Sequence, residues 1–265
     1  ICQNSWGYSD IVNWNDAQFS SLKTAIGYFV DYAGMDETGE VQVGPMAGGL
    51  VVFAAGNEGY YQGAATKYPA ADSRVVAVAS IGADYRPAYY SSYGTWVDVS
   101  APGGDPFFSD KENPYVGSGY GNTTAEVLST IVNGYGLMSG TSMACQHVSG
   151  VAALGLSYAS QLGVKMTAET LKEYLIETSR DIDSYLKDGE YKYLPLQDGT
   201  YKLYMQDYRG KIGEGLVDAE ALLKKIEGDT PLPEDHVAPE AVESFEQTAK
   251  TKSSATIAWK VTGDY

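Results

Sequence analysis

The sequence predicts an α/β fold with a mainly parallel sheet, followed by a short all-β segment. Apolar runs at residues 50–55 and 75–79 are rich in β-branched residues, as expected for strands that are buried on both faces. Amphipathic helical patterns alternate with these runs, which is typical of parallel sheets. From residue 239 the apolar positions instead recur with period two, which indicates β structure with one buried face.

Local signals predict the individual elements. Asp16 and Thr167 are suited to cap helices, because their side chains can accept from free N–H groups in a first turn. The small-residue helix that begins at Thr141 is apolar on most sides, which predicts a central buried helix. The expected order is a strand end at 1–4, a helix over 16–33, strands at 50–55, 75–79 and 96–100, regular structure at 125–132, helices from 141 and 167, a hairpin within 185–208 with its turn at 198–199, and a helix at 217–226.

Composition divides the chain into three parts. Residues 1–227 carry the α/β pattern, residues 228–238 form a Pro-rich acidic linker, and residues 239–265 form the β segment. The first residues include no Met and no leader pattern, and the last alternating strand stops almost at once. We therefore expect both ends to be cuts through larger structures.

Charge and residue counts exclude several classes of function. The formal net charge of −16 disfavours partners with a phosphate backbone, so no nucleic acid is expected. No apolar stretch approaches the ~18 residues of a membrane span. Cys2 and Cys145 allow at most one disulfide bridge, which stays open, and any histidine base must be His147, His236 or a group from elsewhere.

A serine at the start of the predicted buried helix is the strongest candidate for chemistry. Ser142 lies in residues 138–144 (MSGTSMA), where free N–H groups and the positive end of the helix dipole favour an oxygen that gains negative charge. An isolated Thr-Ser pair before a helix is usually only a cap. The surrounding motifs decide between the two interpretations.

These motifs resemble the subtilisin-like serine proteases. Residues 140–144 (GTSMA) with 147–150 (HVSG) resemble the nucleophile motif of that family, and residues 54–59 (AAGNEG) resemble the segment with its oxyanion-hole asparagine. The resemblance covers about residues 1–226, and further blocks occur in the family's order: 4–7 (NSWG), 68–70 (YPA), 90–94 (YSSYG), 99–103 (VSAPG) and 213–219 (GEGLVDA).

The resemblance implies roles for individual residues. Ser142 would be the nucleophile, and Asn57 would donate its side-chain N–H to the tetrahedral oxyanion beside the backbone N–H of Ser142. Considered alone, Asn57 would be a turn residue. The substrate backbone would pair, as an added strand, with Ser5, Trp6 and Gly7. The pocket for the side chain before the scissile bond would have a wall made of Ala54, Ala55 and Gly56.

The catalytic Asp and His motifs of the family are absent. No Asp-Ser-Gly, Asp-Thr-Gly or His-Gly-Thr-His occurs, and the family places them upstream of the Asn-Ser-Trp-Gly strand at which this chain starts. His147 is five residues after Ser142 and so lies ~140° around the helix, where it is expected to be a buried structural histidine. His236 lies in the linker. We therefore expect the chain to be the C-terminal portion of a peptidase domain and to be inactive alone. It would be either a fragment of an active enzyme or one piece of a nicked two-chain enzyme, with the N-terminal portion of the same domain as its partner.

Other features support weaker predictions. Cys145 is expected to be a small buried filler rather than a reactive thiol. Asp105, Asp110 and Glu112 share a loop, but their spacing matches no calcium motif, so structural calcium is possible, no metal is assigned and no cofactor is expected. The segment from Pro239 resembles the opening strands of a fibronectin type III domain, with Trp259 as its core tryptophan.

These observations predict a serine endopeptidase that acts on polypeptides by a Ser-His-Asp mechanism and is secreted or located at the cell surface. The alternative is a pseudoprotease that binds peptides or partners without cleaving them, and the intact Ser142, Asn57 and glycine turns argue against it. An adhesion or scaffold protein, in which the β segment is the functional part, is a further alternative.

Overall fold

The computed structural model describes residues 1–105, 125–196 and 199–228, and the strands at 242–250 and 255–261. Its strands are β1 (Cys2–Asn4), β2 (Met46–Ala47), β3 (Val51–Ala54), β4 (Val76–Ile81), β5 (Val99–Pro102), β6 (Val127–Ile131), β7 (Gly134–Met138), β8 (Met166–Thr167), β9 (Tyr191–Leu196), β10 (Gly199–Tyr204), β11 (Val242–Lys250) and β12 (Ala255–Val261). Its helices are α1 (Ser20–Tyr32), α2 (Gly59–Gln62), α3 (Thr141–Gln161), α4 (Ala168–Glu177) and α5 (Ala219–Glu227).

A four-stranded parallel sheet in the order β1-β3-β4-β5 forms the centre of the α/β part. Every residue of β3 and β4 is buried, as the uninterrupted apolar runs predict. Val52 and Val78 pack in a core cluster with residues of α3, α4 and α5, whereas Phe53 and Ala77 pack with Ile26 of α1 on the opposite face. The predicted mixed α/β fold with a parallel sheet is confirmed.

Among the residues that the structure describes, four two-stranded pairs accompany this sheet. β2 and β8 pair in parallel, and β6–β7, β9–β10 and β11–β12 are antiparallel. The predicted hairpin within 185–208 is confirmed as β9–β10; of the predicted turn residues, Gly199 begins β10 and Asp198 lies outside the described residues. β7 is not predicted from the sequence, because two of its five residues are glycines and no apolar alternation identifies it.

Element boundaries differ from the predictions by a few residues. The strand predicted at 96–100 is β5, which begins at Val99 rather than at Trp96. Before it the chain turns through a hydrogen bond from Val97 N to Gly94 O. A short 3-10 turn, Ala17–Phe19, precedes α1, and the Asp16 side chain makes no cap hydrogen bond. The Thr167 cap is confirmed, since its Oγ1 accepts from Thr170 N at 3.0 Å.

Helix α3 packs centrally in the core, as predicted, but only one side of it is buried. Ala144, Val148, Ala152 and Gly155 face the core, and a Cβ at Gly155 would lie 2.8 Å from Leu222 of α5. The opposite side is open, and Leu154 there is 49% exposed. The helix is apolar around its circumference, but the described residues cover only one side of it. None of the described helices is long and apolar enough to cross a membrane.

The buried Asp72 carboxylate ties the loop before β4 to the segment that precedes α1. The Asp72 carboxylate accepts from Trp14 Nε1 at 3.0 Å and pairs with the Arg74 guanidinium at 2.7 Å. Burial by itself raises the pKa of this carboxyl, but the hydrogen bonds from Arg74 and Trp14 outweigh burial and lower the pKa to about 2. Asp72 is therefore ionised in the folded protein at any pH above that value.

Candidate active site

Ser142 occupies the second position of α3, immediately after a turn that only glycine favours. Gly140 precedes the helix with φ +155° and ψ 158°. The hydroxyl of Ser142 lies 3.5 Å from the Ser5 carbonyl, and Ser5 Oγ donates to the Ser142 carbonyl at 3.1 Å. The backbone N–H of Ser142 belongs to the first turn and so has no intrahelical acceptor. The nucleophile candidate is thus half-buried at a helix N-terminus, with its neighbouring N–H unused within the helix.

Asn57 is held so that its side-chain N–H group is available. Its Oδ1 accepts from Thr141 N at 3.0 Å and from Thr141 Oγ1 at 2.9 Å. A methyl group built on Gly140 would lie 3.8 Å from Asn57 Nδ2 and 3.7 Å from Ser142 N. Two N–H donors from different elements therefore border the same small space beside Ser142, as an oxyanion hole requires.

Thr141 links the start of α3 to Asn57 and Gly56. The side chain is buried, its hydroxyl donates to Asn57 Oδ1, and the same oxygen accepts from Gly56 N at 3.2 Å. Sequence reasoning considered Thr141 only as a possible helix cap. Its contact with Asn57 spans 84 residues of sequence, so no local pattern could have identified it.

A second layer supports the turn before Ser142. Gly140 N donates to the Gly103 carbonyl at 2.9 Å, and Tyr90 Oη donates to the same carbonyl at 2.9 Å. A Cβ on Gly103 would lie 2.1 Å from Ser80 Oγ and 2.6 Å from Gly140 O, so only glycine allows this close approach. Burial raises the pKa of Tyr90, which therefore stays protonated as a donor.

A cleft of about 180 Å³ extends from Ser142 between two chain segments. One wall continues β1: Trp6 packs edge-on against Phe53 with ring centroids 5.2 Å apart, and its Nε1 donates to Asn4 Oδ1 at 3.1 Å. The six predicted substrate-binding residues line the cleft together with Ser142 and Asn57. They are Ser5, Trp6 and Gly7 on this wall, and Ala54, Ala55 and Gly56 on the other.

The second wall is made of small residues that the fold keeps small. Ala54 and Ala55 are buried at the end of β3, and Gly56 has φ +108°. A Cβ on Gly56 would lie 2.7 Å from Glu58 Oε2 and 3.0 Å from Ser92 Oγ. A larger residue there would thus be strained and would collide with the side chains of Glu58 and Ser92.

No base for Ser142 is present among the described residues. None of their imidazoles or carboxylates hydrogen-bonds Ser142 Oγ, whose neighbour is the Ser5 carbonyl. His147 is exposed rather than buried, so that part of its prediction is wrong; its Nδ1 donates to Met143 O at 2.9 Å on the open side of α3. His236 lies outside the described residues.

The remaining candidates are the two thiols and the acidic residues of one loop. Cys145 is buried, as predicted, and burial raises the pKa of its thiol to about 11, so the thiol is protonated at neutral pH. Cys2 and Cys145 are both free. Asp110 and Glu112 lie outside the described residues, and the described ones contain no group of three acidic, His or Cys side chains that could hold a metal ion.

Lys67 and Glu58 also line the cleft, and sequence analysis selected neither. The Lys67 ammonium lies 3.3 Å from Glu58 Oε2, and both side chains are largely buried. The only available sequence signal was their position: Glu58 directly follows Asn57, and Lys67 directly precedes the residues 68–70 block.

The fold is that of one protein family. The model of the Subtilase family, peptidase S8, matches residues 1–204. The chain belongs to the subtilase family.

Individual relatives agree with this assignment. The chain is 30% identical to the extracellular basic protease of Dichelobacter nodosus over 190 residues, which are 69% of this chain and 24% of that protein. It is 43% identical to the thermophilic serine proteinase of Bacillus sp. (strain AK1) over 108 residues, 40% of this chain and 21% of that protein. The chain thus spans about a quarter of the length of these curated relatives.

Solved structures share the fold. A protease of Pseudoalteromonas arctica PAMC 21717 superposes with a TM-score of 0.50 at 25% identity, covering 76% of this chain and 57% of that one. The prenylagaramide maturation protease PagA superposes with a TM-score of 0.51 at 20% identity, over 86% of this chain and 62% of that one, which is evidence for the fold alone.

Proposed function

We propose that this chain is the C-terminal portion of a serine endopeptidase domain and supplies the nucleophile, the oxyanion donors and part of the substrate cleft. The observation that carries the proposal is the convergence of Ser142 N and Asn57 Nδ2 beside Ser142, with Asn57 Oδ1 held by Thr141. The matched family and the protease relatives support the same chemistry.

The proposed reaction is acyl transfer. Ser142 Oγ forms a bond to the carbonyl carbon of a peptide while a histidine takes the hydroxyl proton, and the two N–H groups hold the resulting oxyanion. Collapse breaks the C–N bond and passes the proton to the leaving amine, and water then hydrolyses the acyl-enzyme. Ser5, Trp6 and Gly7 would pair with the substrate backbone, and Ala54, Ala55 and Gly56 would border the side chain before the scissile bond.

The histidine and aspartate would come from an N-terminal portion of the same domain. The open side of α3 supports this arrangement. A groove of about 510 Å³, here called the outer groove, lies between the β6–β7 hairpin and α3 and includes Leu128, Ile131, Met143, His147 and Leu154. It begins one residue after Ser142 and is apolar and exposed, so it is a suitable seat for the missing portion.

A fluorophosphonate probe tests the proposal, because it reacts only with an activated serine. Without a base the Ser142 hydroxyl is a poor nucleophile, so the 265-residue chain alone should stay unlabelled. The longer protein with the N-terminal portion should be labelled at Ser142, and Ser142→Ala should abolish labelling. Robust labelling of the isolated chain would contradict its proposed incompleteness, and an unlabelled longer protein that binds peptides would favour the pseudoprotease.

We also propose that the protein acts outside the cell and that residues 239–265 open a fibronectin type III-like domain. One relative is named an extracellular protease. β11 and β12 form an antiparallel hairpin with pairs from Val242–Val261 to Lys250–Ala255, which supports an all-β segment. Detection of the protein in culture medium rather than in cell lysate tests the location. A β-rich circular dichroism spectrum of the longer protein's segment from residue 239 tests the second proposal.

A further inference from the structure

Lys67 is a buried cation inside the substrate cleft. Its side chain is only 3% exposed, although it lines the same cleft as Ala55, Gly56 and Ser142. The ammonium donates to the Ser9 carbonyl and to Gln62 Oε1, and it lies 3.3 Å from Glu58 Oε2. A lysine ammonium has three N–H donors, so these three oxygen neighbours account for all of them.

The contacts place Lys67 across the end of the cleft that is remote from the nucleophile. Ser5 marks the near end, because it exchanges hydrogen bonds with Ser142. Ser9 lies four residues further along the same wall and is held by Lys67. Glu58 belongs to the opposite wall. The Lys67 side chain therefore joins the two walls and closes the far end.

Glu58 is held as firmly as Lys67. Its Oε2 accepts from Asn57 N at 3.0 Å and from Ser92 Oγ at 3.3 Å, and its side chain is 14% exposed. The Lys67–Glu58 pair is neutral overall and is satisfied by protein groups. A charged ligand side chain would meet a like charge from one member of the pair and would lose its hydration without gaining a free partner.

We propose that Lys67 is a specificity-determining residue that limits the cleft to short, uncharged side chains at the position before the scissile bond. The proposal rests on the proposed function, since it assigns a substrate class to the same site. A cleft of about 180 Å³ is smaller than the about 300–1,000 Å³ of pockets that hold larger ligands. Without the lysine side chain the far end would open toward Ser9 and Gln62.

Binding of product-like peptides tests this inference without requiring catalysis. The probes are acetyl-Ala-Ala-Ala-X peptides with a free carboxylate, where X is Ala, Phe, Glu or Lys, titrated calorimetrically into the 265-residue chain. The peptide with X = Ala should bind at least tenfold more tightly than each of the others. Tighter binding of the Glu peptide would overturn the proposal, because the Lys67 charge would then be available. Tighter binding of the Phe peptide, equal binding or no binding would overturn it as well.

Variants separate size from charge. Lys67→Ala should bind the Phe peptide at least tenfold more tightly than the parent chain does, whereas Lys165→Ala, at an exposed position outside the cleft, should change nothing. Lys67→Met keeps the length of the side chain and removes its charge, so it should retain the preference for Ala over Phe even if the alanine variant fails to fold. Loss of that preference in Lys67→Met would overturn the proposal.

The same data distinguish the two proposals. If the Ala peptide is preferred but the longer protein is never labelled at Ser142, the size limit stands and the proposed catalysis fails. If labelling succeeds but the Phe peptide is preferred, catalysis stands and the role of Lys67 fails.

Discussion

The first turn of α3 and its outer side differ in how extensively other residues of this chain contact them. At the first turn, Thr141, Asn57 and Gly56 satisfy one another through three hydrogen bonds of 2.9–3.2 Å. On the outer side, one to three turns later, His147 and Leu154 are exposed along a groove of about 510 Å³. The same helix thus carries a pre-organised polar site and an uncovered apolar face.

Under the proposed function, the difference separates the parts of catalysis assigned to this chain from the part assigned to an N-terminal portion. Oxyanion donors contribute most when the fold fixes them before the reaction. Here two hydrogen bonds from Thr141 hold Asn57, the proposed donor, in place. Activation of the serine needs a base, which none of the described residues provides. The following predictions test this division in order of decreasing expected effect.

Asn57→Ala should have the largest effect, because it removes one of the two oxyanion donors. In the longer, active protein we expect a loss of about 10²–10³-fold in kcat, with KM nearly unchanged, since the interaction forms in the transition state. Steady-state hydrolysis of a peptide substrate measures it. Asn15→Ala, at an exposed position, is the matched control. A loss that appears only in KM would place Asn57 in substrate binding instead.

Thr141→Val should damage the same site indirectly, because it keeps the size of the side chain and removes the hydroxyl. Gly56 N would lose its acceptor and Asn57 Oδ1 one of its two donors, at a cost of about 1–3 kcal/mol in the free energy of unfolding. We expect kcat to fall by about tenfold as Asn57 becomes less well positioned. Thr141→Ser should restore both values. If it did not, the methyl group rather than the hydroxyl would be the important part.

Leu154→Glu tests the outer side. Leu154 is 49% exposed, so the free energy of unfolding of this chain should change by no more than about 0.5 kcal/mol. Association with a separately produced N-terminal portion should weaken at least tenfold, because a charge would be buried in an apolar contact. Val43→Glu is the control, since Val43 is 68% exposed in a loop away from the groove. Unchanged association would show that the outer groove is not the contact surface.

Asp72→Asn should have the smallest effect, because Asp72 lies outside both regions. We expect a loss of about 1–2 kcal/mol in stability at neutral pH, reduced by the partial exposure of Arg74. The pKa of Asp72, about 2, lies below its ordinary value of 3.8. Its contribution is therefore complete above roughly pH 5 and disappears as the pH falls from about 4 toward 2. Urea unfolding of both proteins across this range measures the difference, and a pH-independent difference would contradict the assignment.

Much of the fold was predictable, because its signals are local. The apolar runs of β3 and β4 indicated buried parallel strands, and a single polar side chain at Thr167 marked the start of α4. The candidate site residues were predictable for a different reason. Ser142 and Asn57 stand in short motifs whose order along the chain resembles one family, and the structure brings both to one cleft.

What the sequence determined by itself is therefore the buried strands β3 and β4, the start of α4 and the residue types of the candidate site, since each depends on neighbours within a few positions. Only the tertiary structure decided how distant groups meet. Thr141 reaches Asn57 across 84 residues, Lys67 reaches Ser9 across 58, and the outer side of α3 faces an open groove beside the β6–β7 hairpin. Local periodicity records how apolar a helix is, whereas burial depends on which other elements the fold places against it.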